Sequence, residues 1–192
     1  MEFKKLITIL TISIAVIVVA LLGFSYAWYS FTGGSTEFET TTGSSENLQV
    51  VFAQSQYVNT VTGIPLAASD VDKKSDKTLF SVTADSTTLS GFDVASEISL
   101  VDISIDEALK TSDFHYALYE TANGTTTLIT SGTGVNIGNN ASLVLKSMSL
   151  ITKDVTYNYE LRIWLQDSGV SQNELMQKSF SAKIQVTSSM KK

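Results

Sequence analysis

The chain has 192 residues, 43% of them hydrophobic, and its 19 acidic side chains against 13 basic ones give a formal net charge of −6. That balance argues against nucleic acid or an anionic membrane surface as a partner. With no cysteine and a single histidine, His115, disulfides, thiolate metal sites and a lipid-modified cysteine are excluded, and no zinc site can be made from histidine alone.

In chain order, Lys4 and Lys5 precede a run from Leu6 to Thr36 that carries no charged side chain, and between Leu6 and Leu22 the polar residues are Thr8, Thr11 and Ser13. A basic start, an apolar core and then Ser25-Tyr26-Ala27, with small residues one and three places before a cut, is the build of a secretory signal. As a helix, residues 6–23 would be roughly 27 Å long, close to the roughly 30 Å hydrocarbon core of a bilayer, so the same run also suits a membrane anchor. Either fate sends the rest of the chain out of the cytoplasm, because the two lysines hold the start inside. A pilin-type signal would want a carboxylate near the start of the run, and Leu6 to Thr36 has none.

Behind the apolar core, Trp28-Tyr29-Ser30-Phe31 sets three aromatics before Gly33-Gly34. The stretch Ser25-Tyr26-Ala27-Trp28-Tyr29-Ser30-Phe31 resembles the aromatic-Ala-aromatic junction of the TasA and camelysin family of bacterial surface and biofilm-fibre proteins. The likeness covers Leu6 to Gly34. It implies export through a SipW-type signal peptidase and a life at the cell surface or in the extracellular matrix. The same aromatics would equally serve as the interfacial belt of a membrane anchor.

From Ser35 onward the pattern is one of short strands divided by polar turns. Ser35 to Thr42 is Thr-rich and alternates weakly through Phe38, and the polar link Gly43 to Asn47 leads to a compact apolar strand, Leu48 to Ala53. Asn59 to Lys77 holds the one proline, Pro65, among charged residues, and reads as a surface loop. Strands are expected at Thr78 to Ala84, Phe92 to Ala95 and Glu97 to Ile105, the last with a phase shift between Leu100 and Val101 that calls for a β-bulge. Phe114, Tyr116 and Leu118 share one face of the next strand, opposite His115, Ala117 and Tyr119. Asn123-Gly124 supplies a hairpin turn into Thr125 to Ser131. Leu143 to Ile151 follows a Gly/Asn-rich loop, and short helical turns fit Asp106 to Thr111 and Gln172 to Gln177. The strand with Tyr157, Tyr159, Leu161, Ile163 and Leu165 on one face has the unbroken alternation of a central strand. Its turn at Asp167-Ser168-Gly169 and the strand through Phe180, Ala182, Ile184 and Val186 look like a C-terminal hairpin.

These elements predict an all-β protein, an antiparallel β-sandwich of jelly-roll or immunoglobulin-like type, preceded by an N-terminal hydrophobic signal or anchor helix. Residues 1–27 are then signal peptide or anchor, residues 28–47 a linker with a candidate donor strand, and residues 48–192 the sandwich. The end, Met190-Lys191-Lys192, shows no apolar tail or sorting-type motif. Retention at the cell is therefore expected from an uncut start or from self-assembly.

The search for chemistry yields no catalytic, cofactor-binding or metal-binding set. Asp70, Asp72 and Asp76 cluster in one loop, but the order of a calcium loop is not met and Lys73, Lys74 and Lys77 neutralise them. Asp102, Asp106 and Glu107 invite the same question, with Asp106 better placed to cap a helical turn. His115 has no acid partner in sequence, so a hydrolase would hang on one residue. Asn123-Gly124-Thr125 and Asn140-Ala141-Ser142 match the glycosylation pattern but read as turns. The expected function is that of an exported structural protein of the cell surface or matrix, not an enzyme, self-associating into filaments by strand donation from Ser35 to Thr42. Its partners are a signal peptidase, further copies of itself and a membrane through residues 6–23, with no nucleic acid. Alternatives are an anchored binding module for glycan or protein, with Trp164 and Tyr119 as platforms, or a surface hydrolase.

Overall fold

The computed structural model describes residues 48–86, 91 and 93–191. The apolar run of residues 6–23, the junction at Trp28 to Phe31, the candidate donor strand Ser35 to Thr42 and Phe92 lie outside the described residues. Among the described residues no helix is long and apolar enough to cross a membrane.

Strands alternate between two antiparallel sheets. They are β1 (Leu48–Phe52), β2 (Tyr57–Val61), β3 (Asp76–Ala84), β4 (Asp93–Ile105), β5 (Phe114–Ala122), β6 (Thr125–Thr133), β7 (Leu143–Ile151), β8 (Thr156–Leu165) and β9 (Ser179–Lys191). Sheet A has the order β1-β3-β8-β5-β6, and sheet B the order β2-β9-β4-β7. β5 and β6 are joined as a hairpin within sheet A, whereas the other connections pass from one sheet to the other. The turn at Asn123 and Gly124 has φ of 50° and 78°, the left-handed pair that a two-residue hairpin demands and that Asn-Gly supplies at low cost.

Period-2 patterning decides which side chains enter the core. Cross-strand neighbours Phe52, Phe80 and Tyr159 form a stacked row inside sheet A, with centroid separations of 5.7 and 5.0 Å. Phe114 of β5 meets Phe180 of β9 across the sandwich at 5.4 Å. The strand expected to be central, β8, lies in the middle of sheet A, with Tyr159, Leu161, Ile163 and Leu165 buried.

Several expectations are corrected. Residues 59–77 are not one loop: β2 begins at Tyr57 and runs to Val61, a 3-10 turn at Ala68–Asp70 leads into the four-residue helix α1 (Val71–Lys74), and β3 starts at Asp76. The cause is visible in β2, where the buried Val58 and Thr60 alternate over five residues, too few to stand out beside Pro65 and the charges that follow. The strands expected at Phe92 to Ala95 and Glu97 to Ile105 are one strand, β4. Its burial phase changes from Val94, Ser96, Ile98 and Leu100 to Ile103 and Ile105. The bulge sits slightly beyond the expected point, between Val101 and Ser104, with Asp102 left-handed at φ 53°. The C-terminal hairpin does not exist: β8 pairs with β3 and β5, while β9 pairs with β2 and β4 in the opposite sheet. Residues 166–178 cross between the sheets and are held by Gln172. Its amide donates to Asp113 (2.8 Å) and to the Gln166 carbonyl (2.9 Å), which satisfies a side chain otherwise costly to bury.

Candidate functional site

A sandwich has four terminal strands, and here they differ sharply. β1 and β2 close one side; β6 and β7 close the other. The sequences of β1, LQVVF, and β2, YVNTV, carry no charge, and both ladders keep register along their length. On β2, Tyr57 is 53% and Val61 67% exposed, and Ile64 just beyond is 80% exposed. The outward main-chain groups of β2 follow from its ladder. Ile184 N–H donates to the Gln56 carbonyl (2.8 Å) and Thr62 N–H donates to the Lys178 carbonyl (2.8 Å). Bonded positions alternate in an antiparallel pair, so Val58 and Thr60 also face β9, and Tyr57, Asn59 and Val61 turn their N–H and C=O groups away from the sheet. The buried Thr62 hydroxyl pins the end of the strand by donating to the Leu175 carbonyl (2.5 Å) and accepting from Lys178 N–H (2.9 Å).

The opposite side is built otherwise. β6 slips register against β5 between Leu118 and Tyr119, and β7 slips against β4 on both sides of Ile98. The second slip pairs Lys146 with the buried Ile98, so the lysine side chain enters the space between the sheets. There its ammonium donates to Glu120 Oε2 (2.5 Å) and to the Tyr159 hydroxyl (2.8 Å), while Tyr159 donates to the same carboxylate oxygen (2.7 Å). The lysine and glutamate side chains are 12% and 17% exposed, and the Tyr157 and Tyr159 rings lie 5.4 and 5.3 Å from the ammonium. Burial first, then the hydrogen bond and charge of Glu120, push the Tyr159 hydroxyl pKa up, so it stays a proton donor throughout the physiological range.

The outer face of sheet A holds the side chains singled out as platforms or as a base. Tyr119 is covered by the Arg162 guanidinium, 4.2 Å from its ring centre, and Trp164 stacks on its cross-strand neighbour His115 at 5.2 Å and 21°. Both aromatics are half-buried, and each has one face already occupied. Trp164 also donates its indole N–H to Gln166 (3.1 Å). Arg162 bonds Glu160 (2.5 Å) and Asp72, and Lys77 reaches Glu160 at 3.0 Å. Burial alone would raise the Glu160 carboxyl, but hydrogen bonds from Lys77 and Arg162 outweigh it and hold the pKa below its ordinary value.

His115 is shifted down from 6.5, mainly by burial, against the opposing charge of Asp113 and a hydrogen bond with Ser112. A folded state that binds the proton less readily than the unfolded one keeps its stability above the unfolded pKa and loses it as pH falls below about 6.5. Replacing His115 by Gln should therefore flatten the fall in melting temperature between about pH 7 and about pH 5. Identical pH slopes for the two proteins would show that this imidazole titrates as if it were exposed.

The acidic residues disperse. Asp70 pairs with Lys74 (2.8 Å), Asp72 with Arg162, Glu107 with Lys110 (2.7 Å), and Asp106 accepts from Ala108 N–H (3.0 Å) as a cap. Among the described residues no three His, Cys, Asp or Glu side chains come together as a metal-binding group. Asn123 and Asn140 occupy left-handed turn positions, as their turn reading requires. The Lys146, Glu120 and Tyr159 cluster was missed from sequence. Two of its three members were signalled: Glu120 continues the core-facing phase of Phe114, Tyr116 and Leu118, and Tyr159 stands on the apolar face of β8.

No protein-family model matches this chain, and no curated protein matches it. Among solved structures, a mutant Xylanase10C from Cellvibrio japonicus in complex with xylopentaose is similar over 76% of this chain, at 10% identity and a TM-score of 0.33. This chain covers 25% of that one, and a likeness at that score carries no argument about activity.

Proposed function

We propose that this chain is an exported structural protein of the bacterial cell surface or extracellular matrix, whose copies join by strand addition at the β1/β2 side. In this reading the sandwich is of jelly-roll type, since successive strands switch sheets almost throughout, and a signal peptidase or an uncut anchor at residues 6–23 decides whether the subunit is released. Ser35 to Thr42 of one copy adds to β2 of the next. Main-chain hydrogen bonds supply the affinity and alternate side chains such as Phe38 the specificity. Head-to-tail addition does not close on itself, so it yields filaments.

The observation that carries the proposal is the contrast between sides. β2 offers an uncharged, regular edge with outward main-chain groups and exposed Tyr57 and Val61, whereas the β6 and β7 ladders are broken by bulges. An open edge of that kind is a template for another strand. Its five residues are short, which limits indiscriminate pairing but suffices for a tethered segment. The test is to compare protein beginning at Trp28 with protein beginning at Ser44. Filaments by negative-stain microscopy are expected from the first, and folded monomer from the second. Filaments from both, or unfolding of the shorter chain, would place Ser35 to Thr42 outside the donor role.

A further inference from the structure

β7 looks at first like the better docking edge. It is nine residues long, with Val144, Met148 and Leu150 exposed at 48%, 42% and 72%. Its sequence, LVLKSMSLI, is self-complementary about Ser147: an antiparallel second copy in that register sets Leu143 against Ile151, Val144 against Leu150 and Lys146 against Met148. The exposed Val144 and Leu150 would meet each other twice about the axis, which is what a two-fold interface requires.

What stands against this pairing is Lys146. Its ammonium has three N–H donors, of which Glu120 and Tyr159 take two in the space between the sheets. Its side chain keeps 12% exposure on a strand that ends its sheet, so a strand added there could cover what hydration remains. A second strand laid on that edge would shut the water out and leave a charged donor short of a partner, a heavy cost for a buried ion. An inward-pointing charge on a terminal strand is a recognised means of blunting it, and the slip of register at Ile98 is what turns this lysine inward.

We propose that Lys146 is an edge guard. It keeps β7 from pairing with β7 of a second copy about a two-fold axis at Ser147, and so confines strand addition to the other side of the sandwich. The inference does not depend on where residues 35–42 go, because it rests on β7 and the partners of Lys146 alone.

The absence of native cysteine gives a direct test in the full chain. Ser147 is exposed, and in the two-fold register the two copies of it lie opposite each other, within reach of a disulfide. Ser147→Cys alone should remain free of disulfide-linked dimer under mild oxidation. Adding Lys146→Met and Glu120→Gln removes both charges together and keeps an acceptor for Tyr159, so the fold is retained. That triple variant should give at least ~10-fold more linked dimer on a non-reducing gel, the ratio that follows from removing about 1.4 kcal/mol of desolvation cost. Ready dimer formation by Ser147→Cys alone would overturn the proposal, since it would show the edge to be open with the lysine in place. So would a triple variant that melts cooperatively yet links no more than the single one, or that links to other proteins in place of itself.

Discussion

Replacing Gly134 by alanine is expected to destabilise the fold by about 3 kcal/mol, toward the upper end of what overpacking costs. A Cβ at this position would lie 1.9 Å from the Leu109 carbonyl oxygen, 3.0 Å from its carbon and 3.1 Å from Thr111 N. All three are main-chain atoms and cannot swing aside as a side chain would. Leu109 is the fully buried last residue of a 3-10 turn capped by Asp106, so relief would require moving that turn out of the core. Gly138→Ala is the control, because its added Cβ would meet Ala141 Cβ at 3.4 Å, an ordinary contact. Urea midpoints measure both. A fall for Gly134→Ala with little change for Gly138→Ala is expected, and equal midpoints would mean that the loops at 106–111 and 134–136 are not packed together.

The strands that sequence reveals are those whose alternation is long and one-sided. β8 shows one apolar face from Tyr157 to Leu165 and proves to be the middle strand of sheet A, where both neighbours reinforce the pattern. β7 was legible in its bounds because an apolar-rich run follows directly on a Gly/Asn-rich loop. Sheet membership was not, because alternation reports which side chains go inward and says nothing about which strand lies alongside. Hence β8 and β9, each clear alone, looked like a hairpin although they belong to opposite sheets. β2 escaped notice because five residues give two inward side chains, and one of them is the polar Thr60.

Lys146 shows a deeper limit. Strict alternation from Leu143 and Leu145 would send it to solvent, as a solvated charge on an edge strand. Two register slips reverse that direction, and they arise from pairing with β4, which local sequence does not encode. Glu120 was foreseeable as an inward carboxylate, but not its partner, because the lysine that neutralises it stands 26 positions away on the opposite sheet.

The second large effect concerns assembly, and it isolates main-chain hydrogen bonding at the β2 edge. Asn59 is the middle residue of β2, its N–H turned away from β9 by the alternation that Gln56 and Thr62 fix. Proline there removes a donor that the subunit's own ladder does not use, and terminal strands tolerate proline on that side. The melting temperature of Asn59→Pro should therefore stay within about 4 °C of the parent, equivalent to roughly 1 kcal/mol in a chain of this size. An added strand, by contrast, loses a central hydrogen bond and meets the proline ring at the middle of a five-residue edge. The deciding measurement is the sedimentable fraction of protein beginning at Trp28, with and without Asn59→Pro, at equal concentration and with cooperative melting verified for both. Strand addition at β2 predicts filaments from the parent and their loss in the proline variant; filaments in equal yield from both would contradict it.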